Sequence, residues 1–270
     1  MNTTIPPKGV AVLGIPSDEN SSFMRGPMLG PQRIREALYS GATNMTTEQG
    51  FDLESDGRWA TVGDLELTNG TAALDEITAG IAALLDQDLR VLSLGGDHSI
   101  TYPIMRAYGK KYHDLTIVQF DAHPDLYDEL DGNPYSHACP FAHILEGGHA
   151  KRLIQIRIRT MNIHQKERAE RFGVEVYEPW NLASMRLDID GPVYFSIDLD
   201  ALDPAFAPGV SHHEPGGLTT RELFHLIQTL RVELVGADVV ELNPHRDLVN
   251  MTAMIGAKCV KELLAKMLQA

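Results

Sequence analysis

Short apolar runs alternate with amphipathic segments along most of the chain. Apolar runs without polar alternation are typical of strands buried on both faces, whereas apolar residues three and four positions apart are typical of helices. The runs predict strands at residues 9–14, 89–94, 115–120, 153–158, 174–177, 193–199 and 234–242. The amphipathic segments predict helices at residues 31–38, 72–85, 100–108, 137–145, 164–172, 219–230 and 251–268. Residues 41–70 are rich in turn formers and predict loops and short elements.

Strands that alternate with helices from end to end predict an α/β fold in which helices cover both faces of a mainly parallel sheet. Two helix starts carry local signals. Pro31 suits a first helical turn, and Thr219 with Glu222 has the spacing of a capping box. The 270 residues contain no internal repeat, low-complexity segment or linker. We therefore predict one domain, residues 1–270.

Composition narrows the cellular setting. The chain is 43% hydrophobic, and no apolar run approaches the ~20 residues that span a bilayer. The amino terminus lacks the apolar core of a secretion signal, and two cysteines, Cys139 and Cys259, are too few for a disulfide framework. The net charge of −14 would repel nucleic acid. We predict a cytoplasmic protein that binds neither membranes nor nucleic acid.

The most informative stretch follows the strand predicted at residues 115–120. Asp121, His123 and Asp125 occupy every second position there. Alternate side chains of an extended chain project to the same face, so these three metal-binding groups are expected to leave the strand end together. Pro124 helps to stop the strand.

Two further strand ends carry the same kind of residue. Asp198 and Asp200 close the strand predicted from residue 193, and His98 follows the strand predicted at residues 89–94. In open parallel sheets, ligands bind outside the carboxyl ends of the strands. We predict that the three strand ends converge on one two-metal centre.

Two imidazoles and four carboxylates favour Mn, Fe, Co, Ni or Zn, and four carboxylates balance the charge of two divalent ions. Bridging aspartates would hold the ions roughly 3.5–4 Å apart, where a shared water becomes a nucleophile near neutral pH. A single aspartate after a strand is more often a cap or turn residue, and a lone histidine is usually structural. Only the combination supports a metal site. Asp97 and Asp203 are interpreted as supporting or turn residues.

Residues 95–99 (Gly-Gly-Asp-His-Ser), 120–125 (Phe-Asp-Ala-His-Pro-Asp) and 196–204 (Ser-Ile-Asp-Leu-Asp-Ala-Leu-Asp-Pro) resemble the three signatures of the ureohydrolases, the arginases, agmatinases and their relatives. The resemblance extends over about residues 9–268. Four more segments are similar to the plant-type arginase/agmatinase branch: residues 20–23, 133–138, 206–217 and 251–254.

This resemblance implies a three-layer α/β/α arginase fold, two Mn²⁺ per subunit and a homo-oligomer built from trimers, a trimer or a hexamer. It implies hydrolysis of a guanidino group to urea and an amine. The family's metal ligands match the six residues named above, with Asp125 also counted among the catalytic residues. His137 matches a mobile histidine that passes a proton to the leaving amine, and Glu241 matches the glutamate that binds guanidinium.

The substrate beyond the guanidinium is less constrained. Asn133 and Ser136 match polar groups that hold the α-carboxylate of arginine, and they favour L-arginine over agmatine or another guanidino compound. Asn162 stands where animal arginases have an acid for the α-amine. His212 replaces a threonine of many relatives, so its substrate contact is open. Arg157 replaces the commonest glycine without a sequence-based explanation.

Two hypotheses from other functional classes are alternatives to hydrolysis of a guanidino group. A non-catalytic binding or assembly protein would be expected to lose a ligand, whereas the ligand set with His137 and Glu241 is complete. A metal deacetylase on a similar fold would have a one-zinc ligand set, which six ligands do not indicate.

Overall fold

The computed structural model describes residues 5–180 and 187–269. The first four residues of the amino-terminal stretch considered above lie outside these ranges. The strands are β1 (Val10–Ile15), β2 (Trp59–Asp64), β3 (Arg90–Gly95), β4 (Thr116–Phe120), β5 (Arg152–Ile156), β6 (Glu175–Tyr177), β7 (Pro192–Asp198) and β8 (Glu233–Val240). The α-helices are α1 (Gly30–Leu38), α2 (Ala72–Leu85), α3 (Thr101–Lys111), α4 (Pro140–Glu146), α5 (Ile163–Phe172), α6 (Thr220–Thr229) and α7 (Met251–Gln269).

All eight strands form one sheet in the order β2-β1-β3-β8-β7-β4-β5-β6, and every pairing is parallel. The predicted α/β architecture with a parallel sheet is confirmed. The last two strands, β7 and β8, are inserted between the early strand β3 and its successor β4. The carboxyl ends of β3, β8, β7 and β4 therefore lie side by side at the middle of the sheet, where ligands bind in such folds.

Side chains alternate between two cores, one on each face of the sheet. In β1, Val10 and Val12 pack in one core, whereas Leu13 and Ile15 pack in the other. Helices α1, α6 and α7 cover the first face, and α2, α3, α4 and α5 cover the second. Burial on both faces explains why the central strands are continuous apolar runs.

Two predictions of local structure need correction. Helix α4 begins at Pro140 rather than at residue 137, because the preceding residues form a separate turn in which Cys139 N–H donates to Ser136 O at 2.9 Å. Strand β2 lies inside the segment predicted as loops and short elements, and it is a partly exposed edge strand without an apolar run. The capping box of α6 at Thr219 and Glu222 is present as predicted. None of the helices in the described ranges combines the length and the apolar character that a bilayer crossing needs.

Candidate metal centre

The three predicted strand ends meet at the middle of the sheet. His98 stands in a single 3₁₀ turn three residues after the end of β3, Asp121 directly follows β4, and Asp198 is the last residue of β7. Gly96 allows the chain to leave β3 closely packed, since a Cβ there would lie 1.7 Å from Ser17 O. A short strand exit of this kind holds a ligand rigidly on the sheet.

The first set of side chains surrounds His98 and is called the His98 group: His98, Asp121, Asp125 and Asp198. The Nδ1 atom of His98 lies 3.0 Å from an oxygen of Asp121, 3.0 Å from one of Asp125 and 3.3 Å from one of Asp198. This buried nitrogen nevertheless makes no hydrogen bond in the described structure. Three carboxylate oxygens around a buried, unbonded imidazole nitrogen are the donor set of a divalent metal.

The second set is called the His123 group: Asp121, His123 and Asp200. His123 Nδ1 lies 3.0 Å from Asp200 Oδ2 and 3.5 Å from Asp121 Oδ1. Asp121 faces this group with Oδ1 and the His98 group with Oδ2. An aspartate that offers one oxygen to each of two clusters is suited to bridge two ions, so the residues present fit a binuclear centre.

The residues converge, but not through the extended chain that the alternate spacing predicts. Beyond Phe120 the backbone turns, and the N–H of His123 donates to Asp121 Oδ1 at 2.6 Å. Asp125 has a φ of +50°, and Asp200 lies in a 3₁₀ turn with its N–H on Asp198 Oδ1 at 2.7 Å. The carboxylates thus bind their own backbone, and these turns aim the ligands.

Burial and crowding of the four carboxylates place a large negative potential in the centre. Burial and the charge of Asp121 raise the pKa of Asp125 to about 7, and burial with the charge of Asp200 raises the pKa of Asp198 well above its usual value. Divalent cations would relieve this repulsion.

Residues inside the strands orient the ligands, and sequence reasoning missed them. His98 Nε2 donates to Ser196 Oγ at 2.8 Å, and Ser196 donates to Asp238 Oδ1 at 2.7 Å. Gln119 Nε2 donates to Asp121 Oδ2 at 2.7 Å. This bonding pattern leaves the lone pair of His98 Nδ1 directed at the centre. Ser196 and Gln119 are polar residues in apolar strands, two positions before a ligand, and that spacing was the available signal.

The two aspartates set aside from the ligands do support neighbouring loops. Asp97 accepts bonds from Ser99 and Ser21, and Asp203 accepts the N–H groups of Ala205 and Gly216. Burial and the charge of Glu241 raise the pKa of Asp97 to about 6. Neither residue belongs to the two metal groups.

Glu241 directly follows β8 and stands beside the His98 group. Its Oε1 accepts the backbone N–H of His98 at 2.9 Å and the Nδ1–H of His137 at 2.7 Å. Burial raises the pKa of Glu241, but the charge and hydrogen bond of His137 outweigh it and lower the pKa. Glu241 has a φ of +66°, a strained conformation for a glutamate, and such strain concentrates at functional sites.

His137 is held between two polar partners. Burial lowers its pKa, but the charge and hydrogen bond of Glu241 outweigh this and raise it to about 9. Its Nε2 lies 2.8 Å from Ser22 Oγ, which can donate to the neutral ring or accept from the protonated one. A histidine held this way can exchange a proton without moving far.

A cavity of ≈ 190 Å³ opens above the centre. Its lining includes three carboxylates of the centre, His123, and the side chains of His137, His212 and Glu241. The remaining lining residues are Ser22, Tyr127, Leu130, Ala138, Thr160 and Gln165. His212 thus contacts the cavity, with its ring centroid 5.1 Å from that of His137. Burial and the charge of His137 lower the pKa of His212.

Asn133 and Ser136 are not among the described residues that line this cavity. Asn133 donates to Asn20 Oδ1 and accepts the N–H of Tyr135, and it lines a separate cavity. Ser136 is buried, with its hydroxyl accepting the N–H of Ala138. A contact of either residue with the substrate stays a prediction.

Asn162 and Arg157 each have a structural role that the sequence did not reveal. Asn162 caps helix α5 in a capping box with Gln165, and its amide donates to Tyr127 OH at 2.7 Å. Arg157 has a φ of +79°, a conformation that glycine adopts without strain. This explains why glycine suits the position, and Arg157 Nη2 donates to Gly217 O at 3.0 Å.

Comparison with known proteins adds independent evidence. A model of the arginase family matches residues 8–265. The chain is 45% identical to Arginase 1, mitochondrial, of Arabidopsis thaliana over 95% of this chain and 80% of that protein, and 35% identical to an agmatinase of Bacillus cereus over 94% and 90%. An arginase structure from Medicago truncatula aligns with a TM-score of 0.90 and 42% identity over 96% of this chain and 87% of that chain. The chain therefore belongs to the arginase family.

Proposed function

We propose that this protein hydrolyses L-arginine to L-ornithine and urea at a binuclear centre that holds two Mn²⁺ per subunit. Water supplies the oxygen of urea, the bond between the guanidino carbon and the side-chain nitrogen breaks, and that nitrogen leaves as the amine of ornithine. The observation that carries the proposal is the pair of ligand groups that share Asp121 beside Glu241. A relative named an arginase is 45% identical over 95% of this chain.

The proposed ligands are the six residues predicted from the sequence: His98, Asp121, His123, Asp125, Asp198 and Asp200. Two divalent ions held there would supply Lewis acidity that makes a shared water acidic near neutral pH. The mixed imidazole and carboxylate donors are compatible with Mn²⁺. Asp121 would belong to the ligand sets of both ions, and the four aspartates together would balance the positive charge.

Glu241 is the proposed guanidinium-binding residue. A guanidinium is a planar cation that a carboxylate grips through two parallel hydrogen bonds. Oε1 of Glu241 already accepts from His98 N and His137 Nδ1, so a two-point grip requires His137 to let go. Substrate binding would then release the protonated ring of His137 next to the reacting carbon, where it can donate to the leaving amine.

The neutral polar residues that line the cavity affect which substrate it can bind. Tyr127, Thr160 and Gln165 present neutral polar groups, and the lining residues in the described structure include no lysine or arginine. The α-carboxylate of arginine would be held by neutral donors rather than by a salt bridge. Agmatine, which has no carboxylate, is the alternative substrate, and a relative at 35% identity is named an agmatinase.

Urea release from a panel of guanidino compounds tests the proposal. The purified protein, loaded with Mn²⁺, is assayed with L-arginine, agmatine and shorter guanidino acids. We expect the highest kcat/KM with L-arginine and complete loss of urea after EDTA, restored by Mn²⁺. Rapid release from agmatine alone would reverse the substrate assignment. Metal-independent release, or none from any guanidine, would overturn the hydrolase.

The oligomer, the domain and the location stay predictions. A homo-oligomer built from trimers and one domain over residues 1–270 are tested by light scattering and by limited proteolysis. The cytoplasmic assignment is tested by cell fractionation, which matters because the plant relatives carry mitochondrial or chloroplastic names.

A further inference from the structure

Arg159 lies three residues after β5, and its guanidinium reaches under the turn that carries Asp200. We propose that Arg159 is a positioning residue for the His123 group. It fixes the two chain segments that supply this group in place relative to each other. This inference rests on the proposed function, since it takes Asp121, His123 and Asp200 as ligands of one of two ions. It assigns Arg159 a role that reaches one metal site and not the other.

The side chain of Arg159 fastens the Asp200 segment. Its Nη2 donates to Asp200 O at 2.6 Å, and its Nη1 donates to Ala201 O at 3.3 Å. Both Nη2 and Nε donate to Glu214 O, in the loop that also carries His212. One guanidinium therefore joins the ligand turn to the loop at the cavity wall.

The backbone of Arg159 fastens the other segment. Its N–H donates to Ala122 O at 3.0 Å, between Asp121 and His123. The N–H of Ala122 in turn donates to Asp200 Oδ1 at 3.1 Å. Arg159 thus spans the two stretches of chain that supply the His123 group, with its backbone on one and its side chain on the other.

The pattern depends on arginine. In the described residues Arg159 has no carboxylate within ion-pair distance, so its donors are directed at carbonyl oxygens. A planar guanidinium with five N–H groups serves several carbonyls in one plane, whereas the ammonium of lysine is a point donor. The His98 group is braced separately by Ser196 and Asp238 inside the sheet.

Metal binding to Arg159→Met tests this role, with Mn²⁺ as the probe. Removal of a residue that orients ligands typically lowers metal affinity about 10–100-fold. We expect calorimetry to show two Mn²⁺ sites in the unaltered protein and, in Arg159→Met, a loss of that size at one site only. Electron paramagnetic resonance at one equivalent of protein to two of Mn²⁺ should change from the spectrum of a coupled pair toward that of a single ion.

Arg157→Met is the matched control. It removes the same charge two residues earlier and loses only the bond to Gly217 O, so both sites should keep their affinities. Arg159→Lys should recover part of the loss, and it carries the test if Arg159→Met fails to fold. The inference would be overturned if the folded Arg159 variants kept the Mn²⁺ affinities of the unaltered protein at both sites, or if they lost affinity equally at both sites. A single Mn²⁺ site in the unaltered protein would instead overturn the proposed function, and the inference with it.

Discussion

The two metal groups share Asp121 but are built by different kinds of structure. In the His98 group, the side chain of His98 is 1% exposed and its second nitrogen is bonded to Ser196 inside β7. In the His123 group, the side chain of His123 is 29% exposed, and Asp200 stands in a turn braced by Arg159. In the first group a serine inside the sheet holds the candidate ligand His98, whereas in the second group a side chain from the segment after β5 holds the turn of the candidate ligand Asp200.

The difference has a consequence for mutation. The residues that hold the ring of His98, Ser196 and Asp238, lie in strands of the sheet. We therefore expect this ring to keep its position when the surrounding loops are changed. The His123 group depends on contacts between three loops: the segment after β4, the turn after β7, and the segment after β5. Variants that act on one group and leave the other intact are therefore the sharpest tests.

Asp121→Asn should have the largest effect, because Asp121 contributes one oxygen to each group. Loss of the bridging charge should lower kcat/KM for L-arginine by roughly 10³-fold or more, the scale of several kcal/mol of metal-based catalysis. Kinetics and metal content of the purified variant provide the measurement. Retention of two ions and full turnover would show that the groups do not share this residue.

Substitution of His137 tests its ion pair with Glu241, whose Oε1 also accepts the backbone N–H of His98. Its pKa is raised to about 9, so its stabilising effect is complete below pH 6.5 and is lost as the pH rises through about 9. In metal-free protein, His137→Asn should lower the free energy of unfolding by about 3 kcal/mol more at pH 6 than at pH 10, because folding raises the pKa of His137 from 6.5 to about 9. Thermal unfolding at both pH values measures it, and a cost that does not change with pH contradicts the pairing.

Ser196→Ala should act on the His98 group alone. It removes the acceptor of His98 Nε2 and interrupts the bond to Asp238, so one Mn²⁺ should bind about 10–100-fold more weakly. A further Arg159→Met substitution should leave this weakened site unchanged and weaken the other one. Calorimetry in which the second substitution weakens the same site again would contradict the assignment of these residues to separate groups. Thr78→Ala, at a buried hydroxyl far along the chain that bonds only backbone carbonyls, is a suitable control.

Asn133→Ala should have the smallest effect. Asn133 contacts neither group and does not line the cavity, so KM for L-arginine should stay within about twofold, as is usual for changes away from a binding contact. Steady-state kinetics decide this. A rise in KM of tenfold or more would return Asn133 to the substrate-binding role that its place in the sequence suggested.

Much of the fold could be predicted from pattern alone. The buried strands and the helix periods were readable because a sheet covered on both faces requires continuous apolar runs. Strand β2 escaped because an edge strand needs no such run. The start of α4 was misplaced because a separate turn, closed by the bond from Cys139 N–H to Ser136 O, precedes the helix.

The sequence by itself determined the candidate chemistry of this protein: the six candidate ligands are recognisable by residue type and by position after a strand, and Glu241 and His137 by the resemblance to the ureohydrolases. Tertiary structure alone decided which groups face one another. It separated the ligands into two sets around Asp121, placed the side chain of Asn133 against Asn20, and brought the guanidinium of Arg159 to Asp200 O. The physical reason is that residue type is a local property, whereas the direction of a side chain on a turn depends on hydrogen bonds to segments far away in the chain.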